Sequence, residues 1–218
     1  QEKLWQDILQ KNIFVVAKTP MAKTITERTL GGYRDLKMNV QYVENLVEIT
    51  KKDVDTGVKK IEEVFDSMKF DVVIGNPPYQ ESSNVNNRQQ PIYNEFYDLA
   101  FKLADKVTLI TPARFLFNAG LTPKNWNQKM LNDKHFKVVY YEQDSDKIFP
   151  KTDIKGGVVI TLRDVGANFG SIEEFIPNEK LRQIANRFKL KKDDKLPSIM
   201  FGGRSDLKFN NYFLETYP

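Results

Sequence analysis

Short apolar runs recur along most of the chain, and polar segments with helical spacing separate them. Continuous apolar runs such as those at 12–17 and 70–74 are typical of strands buried on both faces, as in parallel sheets. Between the runs, apolar residues recur every three or four positions, which predicts amphipathic helices. The pattern predicts six strands, at 12–17, within 40–49, and at 70–74, 107–110, 136–141 and 158–162.

The segment after the first run has the signals of a helix at both of its ends. Thr19 precedes Pro20, and a threonine N-cap with proline at the first helical position is a common helix start. Gly31 and Gly32 then predict the helix end. Strands that alternate with helices predict an α/β fold, with a mostly parallel sheet and helices on both of its faces.

The alternation stops after about residue 164. The rest of the chain has one predicted helix at 178–190, a charged run and a glycine-rich stretch. We therefore predict two regions, at 1–165 and at 166–218. The chain does not begin with Met and ends in an aromatic-rich stretch, so we interpret it as a fragment of a longer protein.

The composition excludes several classes of protein. The 218 residues include no cysteine and one histidine, His135, which excludes disulfide scaffolds, thiol nucleophiles and multi-histidine metal sites. We interpret His135 as a surface or capping residue near a helix end rather than as a catalytic base. The net charge of +4 permits a polyanionic partner without requiring one. The chain shows neither a membrane-spanning apolar run nor a signal peptide, so the prediction is no membrane partner and a cytoplasmic location.

The most informative motif is Asn76-Pro77-Pro78-Tyr79, directly after the apolar run at 70–74. In open α/β sheets, ligands bind where strands end. The two prolines restrict the backbone, so the Asn76 side chain and the Pro77 carbonyl can project as paired acceptors, with Tyr79 as an aromatic face beside them. This set suits a planar ring that carries an amino group.

Such acceptors can activate an amine on a purine. Its lone pair is delocalised into the ring, and two acceptors that bind its N–H groups draw the nitrogen toward tetrahedral geometry. This is electrostatic preorganisation, and it requires neither a metal ion nor a histidine.

The motif and its surroundings resemble amino-methyltransferases that use S-adenosylmethionine. The longer match is similar to adenine-specific DNA methyltransferases of fused, type IIG-like restriction-modification systems. The resemblance covers about residues 5–215, and beyond the motif it rests on residues 110–120, 126–133 and 148–164.

The resemblance implies a Rossmann-like sheet, bound S-adenosylmethionine and a target adenine flipped out of double-stranded DNA. Asn76, Pro77, Pro78 and Tyr79 are then the catalytic residues, and Asn76 also contacts the cofactor. Tyr79 and Phe149 stack on the two faces of the base. The same resemblance implies that residues 1–165 are the catalytic domain and that residues 166–218 are a connector with the start of a target-recognition region. It also implies that nuclease and target-recognition domains accompany this one in the parent chain.

The chain departs from the family pattern at the cofactor site. No glycine-rich loop lies ahead of Asn12, so we interpret the sheet as incomplete at the N-terminus, without its first strand. Ala17 stands where the family has an acidic residue for the cofactor ribose. Glu44 is our candidate cofactor ligand, and Glu48 is a second one.

Arg114 and Arg88 are candidate DNA-binding residues, and Gly156-Gly157 is interpreted as a close approach between backbones. Two other functions stay open. The first is methyl transfer to protein glutamine or to rRNA, and the second is a non-catalytic DNA-binding module, which Ala17 and the lack of the glycine-rich loop favour.

Overall fold

The computed structural model describes residues 2–66, 68–80 and 90–188. These residues form helices and strands in the alternation that the sequence predicts. The helices are α1 (Glu2–Lys11), α2 (Pro20–Gly31), α3 (Leu46–Lys52), α4 (Val54–Val64), α5 (Tyr93–Leu103), α6 (Lys124–Asn132) and α7 (Glu179–Phe188). The strands are β1 (Phe14–Ala17), β2 (Asn39–Tyr42), β3 (Phe70–Gly75), β4 (Ala104–Pro112), β5 (Phe136–Glu142) and β6 (Val158–Asp164).

The strands form two separate sheets, and the predicted α/β class is confirmed. β1 and β2 make a parallel pair. The other four strands lie in the order β3-β4-β6-β5, with β3 and β4 parallel. β6 is antiparallel to both of its neighbours and separates β4 from β5.

Three strands of the larger sheet end at the same edge, here called the carboxyl edge. Gly75 at the end of β3 lies opposite Leu109 near the end of β4. Val158, the first residue of β6, lies opposite both Pro112 and Glu142, the last residues of β4 and β5. The loops that follow β3, β4 and β5 therefore emerge together.

Helix α2 begins and ends where its sequence predicts. The Thr19 side chain caps the start and accepts a hydrogen bond from the Ala22 backbone N–H at 3.0 Å. Gly32 follows the last helical residue with a φ of 58°, the left-handed conformation that glycine adopts without strain.

An aromatic core joins α5 to the larger sheet. Tyr97 of α5 is fully buried among the rings of Phe101, Phe115, Trp126 and Phe136. The Tyr97 hydroxyl lies 3.0 Å from Thr111 Oγ1 of β4 and 2.7 Å from Thr161 Oγ1 of β6. One buried side chain thus links a helix to two strands.

We expect Tyr97→Phe to lower the free energy of unfolding by about 1–3 kcal/mol, because a buried Thr111 hydroxyl would lose its partner. Tyr140→Phe is the matched control, since Tyr140 is exposed, and its effect should stay within about 0.5 kcal/mol. Urea unfolding of the three proteins measures both values. Equal stability of the two variants would contradict the expectation.

The prediction that the runs at 12–17 and 70–74 are buried on both faces is wrong for the described residues. Val16 is 36% exposed, Val72 52% and Ile74 77%. The reason is that β1 and β3 each have only one neighbouring strand in this part of the chain. Their apolar side chains therefore lie beside open edges.

The chain divides into two compact units, at Gln1–Phe175 and Ile176–Pro218. In the first unit, Ile172 and Phe175 pack against the aromatic core. In the described part of the second, α7 begins after Asn178, whose side chain accepts a hydrogen bond from the Leu181 N–H at 3.1 Å. The target-recognition role of residues 166–218 stays a prediction. Among the described helices, none is both long and apolar enough to span a membrane.

Candidate active site

The Asn76–Tyr79 segment leaves the carboxyl edge directly after β3 and is anchored at its far end. The Tyr79 carbonyl accepts a hydrogen bond from the Ile92 N–H at 3.1 Å, and Gln80 pairs with Pro91 in an antiparallel bridge. The segment is therefore held between the end of β3 and the start of α5. Its position after a strand end is the one that the sequence predicts.

The two predicted acceptors of this segment are free among the described residues. Asn76 is exposed, and its side-chain amide makes no hydrogen bond in that part of the chain. The same holds for the Pro77 carbonyl. Pro77 and Pro78 are half-buried, which together with their fixed φ angles limits the movement of the backbone between the two acceptors.

Tyr79 directs its hydroxyl into the protein and leaves part of its surface open. The residue is half-buried, while its hydroxyl is enclosed and makes no hydrogen bond among the described residues. Burial raises the pKa of Tyr79 to about 12, so the side chain is neutral at physiological pH. A neutral, anchored ring suits stacking better than proton transfer.

Phe149 lies in the loop after β5, at the same carboxyl edge. Ser145 organises this loop, because its Oγ donates to the Thr152 carbonyl at 2.6 Å and accepts from the Ile154 N–H at 2.8 Å. The Phe149 N–H donates to the Ser145 carbonyl at 2.8 Å. Phe149 is half-buried and contacts no other aromatic ring within the described ranges.

The structure confirms the interpretation of Gly157 as a close approach between backbones. Gly157 has a φ of +83°, and a Cβ there would overlap the Glu142 carbonyl oxygen and lie 2.8 Å from Gln143 Cα. Its carbonyl accepts a hydrogen bond from the Ala113 N–H at 3.0 Å. Gly157 thus holds together the chain segments that follow β4 and β5.

Arg114 lies two residues after the end of β4, and its side-chain stem packs against two glycines. A Cβ at Gly156 would lie 2.7 Å from Arg114 Cγ, and one at Gly120 would lie 3.5 Å from Arg114 Cβ. Arg114 is exposed and makes no ion pair with a described carboxylate. Burial raises the pKa of Tyr93 to about 12, and a hydrogen bond with Thr122 and the positive charge of Arg114 both oppose this rise.

A cavity of about 890 Å³ lies between β1 and β3. At one end its lining includes Ala17 at the end of β1, Lys18 directly after it, and Asn76 from the segment after β3. Glu44 and Glu48 are both exposed, but only Glu48 of α3 is among the lining residues of the cavity. The structure therefore brings the second acidic candidate of the sequence to the cavity, and Glu44 stays a prediction.

The remaining predicted residues lie elsewhere. Arg88 falls outside the described residues. His135 has a structural role: its Nδ1 lies 2.6 Å from the Ala167 carbonyl, and its backbone N–H donates to Asp133 Oδ1 at 2.9 Å. Sequence reasoning missed Ser145, because its partners are seven and nine residues away and only the folded loop brings them together.

Comparisons with known proteins identify the family of this chain. The family model described as Eco57I restriction-modification methylase matches residues 11–149, a range that contains Asn76, Tyr79, Arg114 and Phe149. A Mycoplasma pneumoniae protein described as an uncharacterized adenine-specific methylase is 38% identical over 98 residues. That match covers 43% of this chain and spans 23% of the length of the Mycoplasma protein.

A solved structure also matches part of the chain. The crystal structure of Thermoplasma acidophilum 1320 covers 71% of this chain and 67% of its own, with 17% sequence identity and a TM-score of 0.37.

Proposed function

Because the chain belongs to the Eco57I restriction-modification methylase family, we propose that its carboxyl edge forms the methyl-transfer site of a DNA adenine methyltransferase. The observation that carries the proposal is the anchored segment after β3, where Asn76 and the Pro77 carbonyl are free acceptors beside the Tyr79 ring. The printed name of the Mycoplasma relative, an adenine-specific methylase, points to the same base.

In this proposal the two acceptors bind the two N–H groups of the adenine exocyclic amine. Asn76 Oδ1 takes one and the Pro77 carbonyl takes the other, which withdraws the nitrogen lone pair from the ring and directs it out of the ring plane. The restricted backbone at Pro77 and Pro78 holds the acceptors in place before the base arrives, so little reorganisation accompanies the reaction.

S-adenosylmethionine supplies the methyl group as an electrophilic carbon. The cavity between β1 and β3 fits such a cofactor at its carboxyl end, where Asn76 is available for polar contacts and Glu48 brings a carboxylate to the lining. Ala17 offers no acceptor for the ribose from its side chain. We therefore assign the carboxylate that contacts the cofactor to Glu48.

A base in a duplex cannot reach this site, so the proposal includes base flipping. Tyr79 and Phe149 both lie at the carboxyl edge and both are half-buried. We assign them to the two faces of the flipped adenine, because stacking between aromatic rings stabilises an unpaired base by about 1–3 kcal/mol per contact.

Tyr79→Phe should keep this stacking, because the hydroxyl that it removes is enclosed and makes no hydrogen bond with any described residue. We expect its methylation rate to stay within about threefold of the parent and its stability to be equal or higher. Tyr79→Ala should weaken binding of the target adenine by about 10-fold to 100-fold. Steady-state methylation at varied DNA concentration measures the rate and the DNA dependence of both variants. A large loss in Tyr79→Phe would show that the hydroxyl itself participates.

We assign Arg114 to a DNA phosphate, because its exposed guanidinium has no ion-pair partner among the described carboxylates. Arg114→Gln should reduce the slope of log affinity against log salt by about 1, with little change in sequence preference. Lys59→Gln on α4 is the control, since Lys59 is exposed and belongs to neither the edge loops nor the cavity lining. An unchanged slope in Arg114→Gln would contradict the assignment. The role of Arg88 stays a prediction.

The test of the proposed function is transfer of label from S-adenosylmethionine to unmethylated double-stranded DNA, with the natural polypeptide that carries these residues. We expect the label on adenine. Label on protein glutamine or on rRNA instead would select the first alternative.

The non-catalytic alternative is favoured by one observation, since Ala17 at the end of β1 brings no carboxylate to the cavity. DNA binding without any binding of S-adenosylmethionine would select it. Equilibrium dialysis with labelled S-adenosylmethionine distinguishes this outcome from an enzyme that binds the cofactor but was given the wrong methyl acceptor.

A further inference from the structure

The loop that joins β4 to α6 carries an exposed leucine between two anchored stretches. Before it, the Ala119 N–H donates to the Arg114 carbonyl at 3.0 Å. After it, Thr122 is buried, and its Oγ1 donates to Oδ1 of the buried Asn127 at 2.8 Å. Leu121 lies between these anchors and is 53% exposed. The loop therefore fixes an apolar side chain at the surface of the protein.

A positive charge lies beside this leucine. Gly120 directly precedes Leu121, and a Cβ built at Gly120 would lie 3.5 Å from both Cβ and Nε of Arg114. The Arg114 side chain thus runs along the backbone that carries Leu121. Arg114 is exposed and makes no ion pair with a described carboxylate. One apolar group and one cation are therefore presented side by side in the loop after β4.

This loop leaves the carboxyl edge between the two segments that carry the candidate stacking residues. β4 pairs with β3, so its loop emerges beside the Asn76–Tyr79 segment. On the other side, the Ala113 N–H donates to the Gly157 carbonyl at 3.0 Å, which ties the start of the loop to the end of the segment that carries Phe149. A duplex whose adenine enters between these two segments lies across the loop after β4.

A duplex that has lost one base from its stack offers partners to both groups of the loop. The flipped base leaves an apolar gap between two base pairs, and DNA-binding proteins insert leucine and similar side chains into opened base steps. The phosphates beside the gap attract a cation. A polypeptide partner could also cover an exposed leucine, but the exposed arginine beside it favours a polyanion.

We propose that Leu121 is a wedge that enters the base stack at the place vacated by the target adenine, while Arg114 holds the adjacent phosphate. This inference rests on the proposed methyl transfer to a flipped adenine. The two anchors of the loop serve the wedge, because a side chain that is already fixed in place loses little conformational entropy when it is pressed between base pairs.

The test uses the natural polypeptide and a synthetic duplex built around the adenine that the parent protein labels. In a second duplex the same adenine faces a mismatched base, which lowers the cost of flipping. Leu121→Ala should lower methyl transfer to the paired duplex by about 10-fold to 100-fold, since a leucine side chain is no longer buried in the complex. On the mismatched duplex its loss should stay below about threefold.

Two further variants separate the wedge from a structural role. Leu121→Met should stay within about threefold of the parent on both duplexes, because methionine keeps the apolar volume. Leu4→Ala is the matched control, since Leu4 is 65% exposed on α1, outside the edge loops and the cavity lining. Its transfer to both duplexes should equal that of the parent. All three variants should unfold at the urea concentration of the parent.

A fluorescent aminopurine at the target position reports flipping without methyl transfer, because its emission rises when it leaves the base stack. The rise should be lost in Leu121→Ala and kept in Leu4→Ala. Equal losses on the paired and mismatched duplexes, or unchanged transfer in Leu121→Ala, would overturn the wedge while the label on adenine still supports the proposed function. If the parent labels no adenine in DNA, the proposed function is wrong and the wedge is overturned with it.

Discussion

Asn76→Ala is expected to lower methyl transfer to adenine by about 10²-fold to 10³-fold, the usual loss when one preorganised hydrogen-bonding group is removed from a reacting centre. The variant keeps the Pro77 carbonyl but loses the side-chain acceptor for the second N–H of the amine. Single-turnover transfer of labelled methyl to a DNA duplex measures the change in the chemical step, and DNA binding measured in parallel separates it from affinity.

The fold should not change in Asn76→Ala, because the side chain is exposed and makes no hydrogen bond among the described residues. Its free energy of unfolding should stay within about 0.5 kcal/mol of the parent. Asn132→Ala is the matched control, since Asn132 is an exposed amide at the end of α6, outside the edge loops. A rate in Asn76→Ala equal to that of the control would contradict the proposed role of Asn76.

The second large effect is expected on stability. Gly157→Ala should lower the free energy of unfolding by about 3 kcal/mol or more, because a strained backbone conformation is combined with a steric overlap. The φ of Gly157 is +83°, and the added Cβ would meet the Glu142 carbonyl oxygen and the Gln143 Cα. None of these is the flexible end of a side chain, so the backbone between β5 and β6 must move.

Gly170→Ala is the control that isolates the steric part. Gly170 has a φ of +78° but no atom within 4 Å of an added Cβ, so only the backbone strain remains, at about 1–2 kcal/mol. Chemical unfolding of both variants and the parent gives the two losses. If Gly157→Ala and Gly170→Ala lose the same amount, the close approach at Gly157 does not contribute to stability.

The position of the candidate site could be predicted from the sequence. The run at 70–74 predicts a strand, and β3 ends at Gly75, directly before the Asn76–Tyr79 segment. The residue types in that segment then define the chemistry, because two prolines restrict the backbone whatever surrounds them.

The orientation of Tyr79 could not be predicted in the same way. Its hydroxyl is enclosed, and the sequence motif is the same whether that hydroxyl is inside or outside. The sequence also could not show which of Glu44 and Glu48 lines the cavity. The turn between β2 and α3 decides which carboxylate lines the cavity, and the two residues are only four positions apart.

The sequence by itself determined most of the helices and strands and the restricted backbone of the segment after β3, because periodicity, capping at Thr19 and proline geometry act over a few residues. Only the tertiary structure decided the order β3-β4-β6-β5, the placement of Arg114 against Gly120 and Gly156, and the open edges of β1 and β3. These features depend on which distant segments meet. A continuous apolar run shows that a strand needs partners on its edges and faces, but it does not identify them.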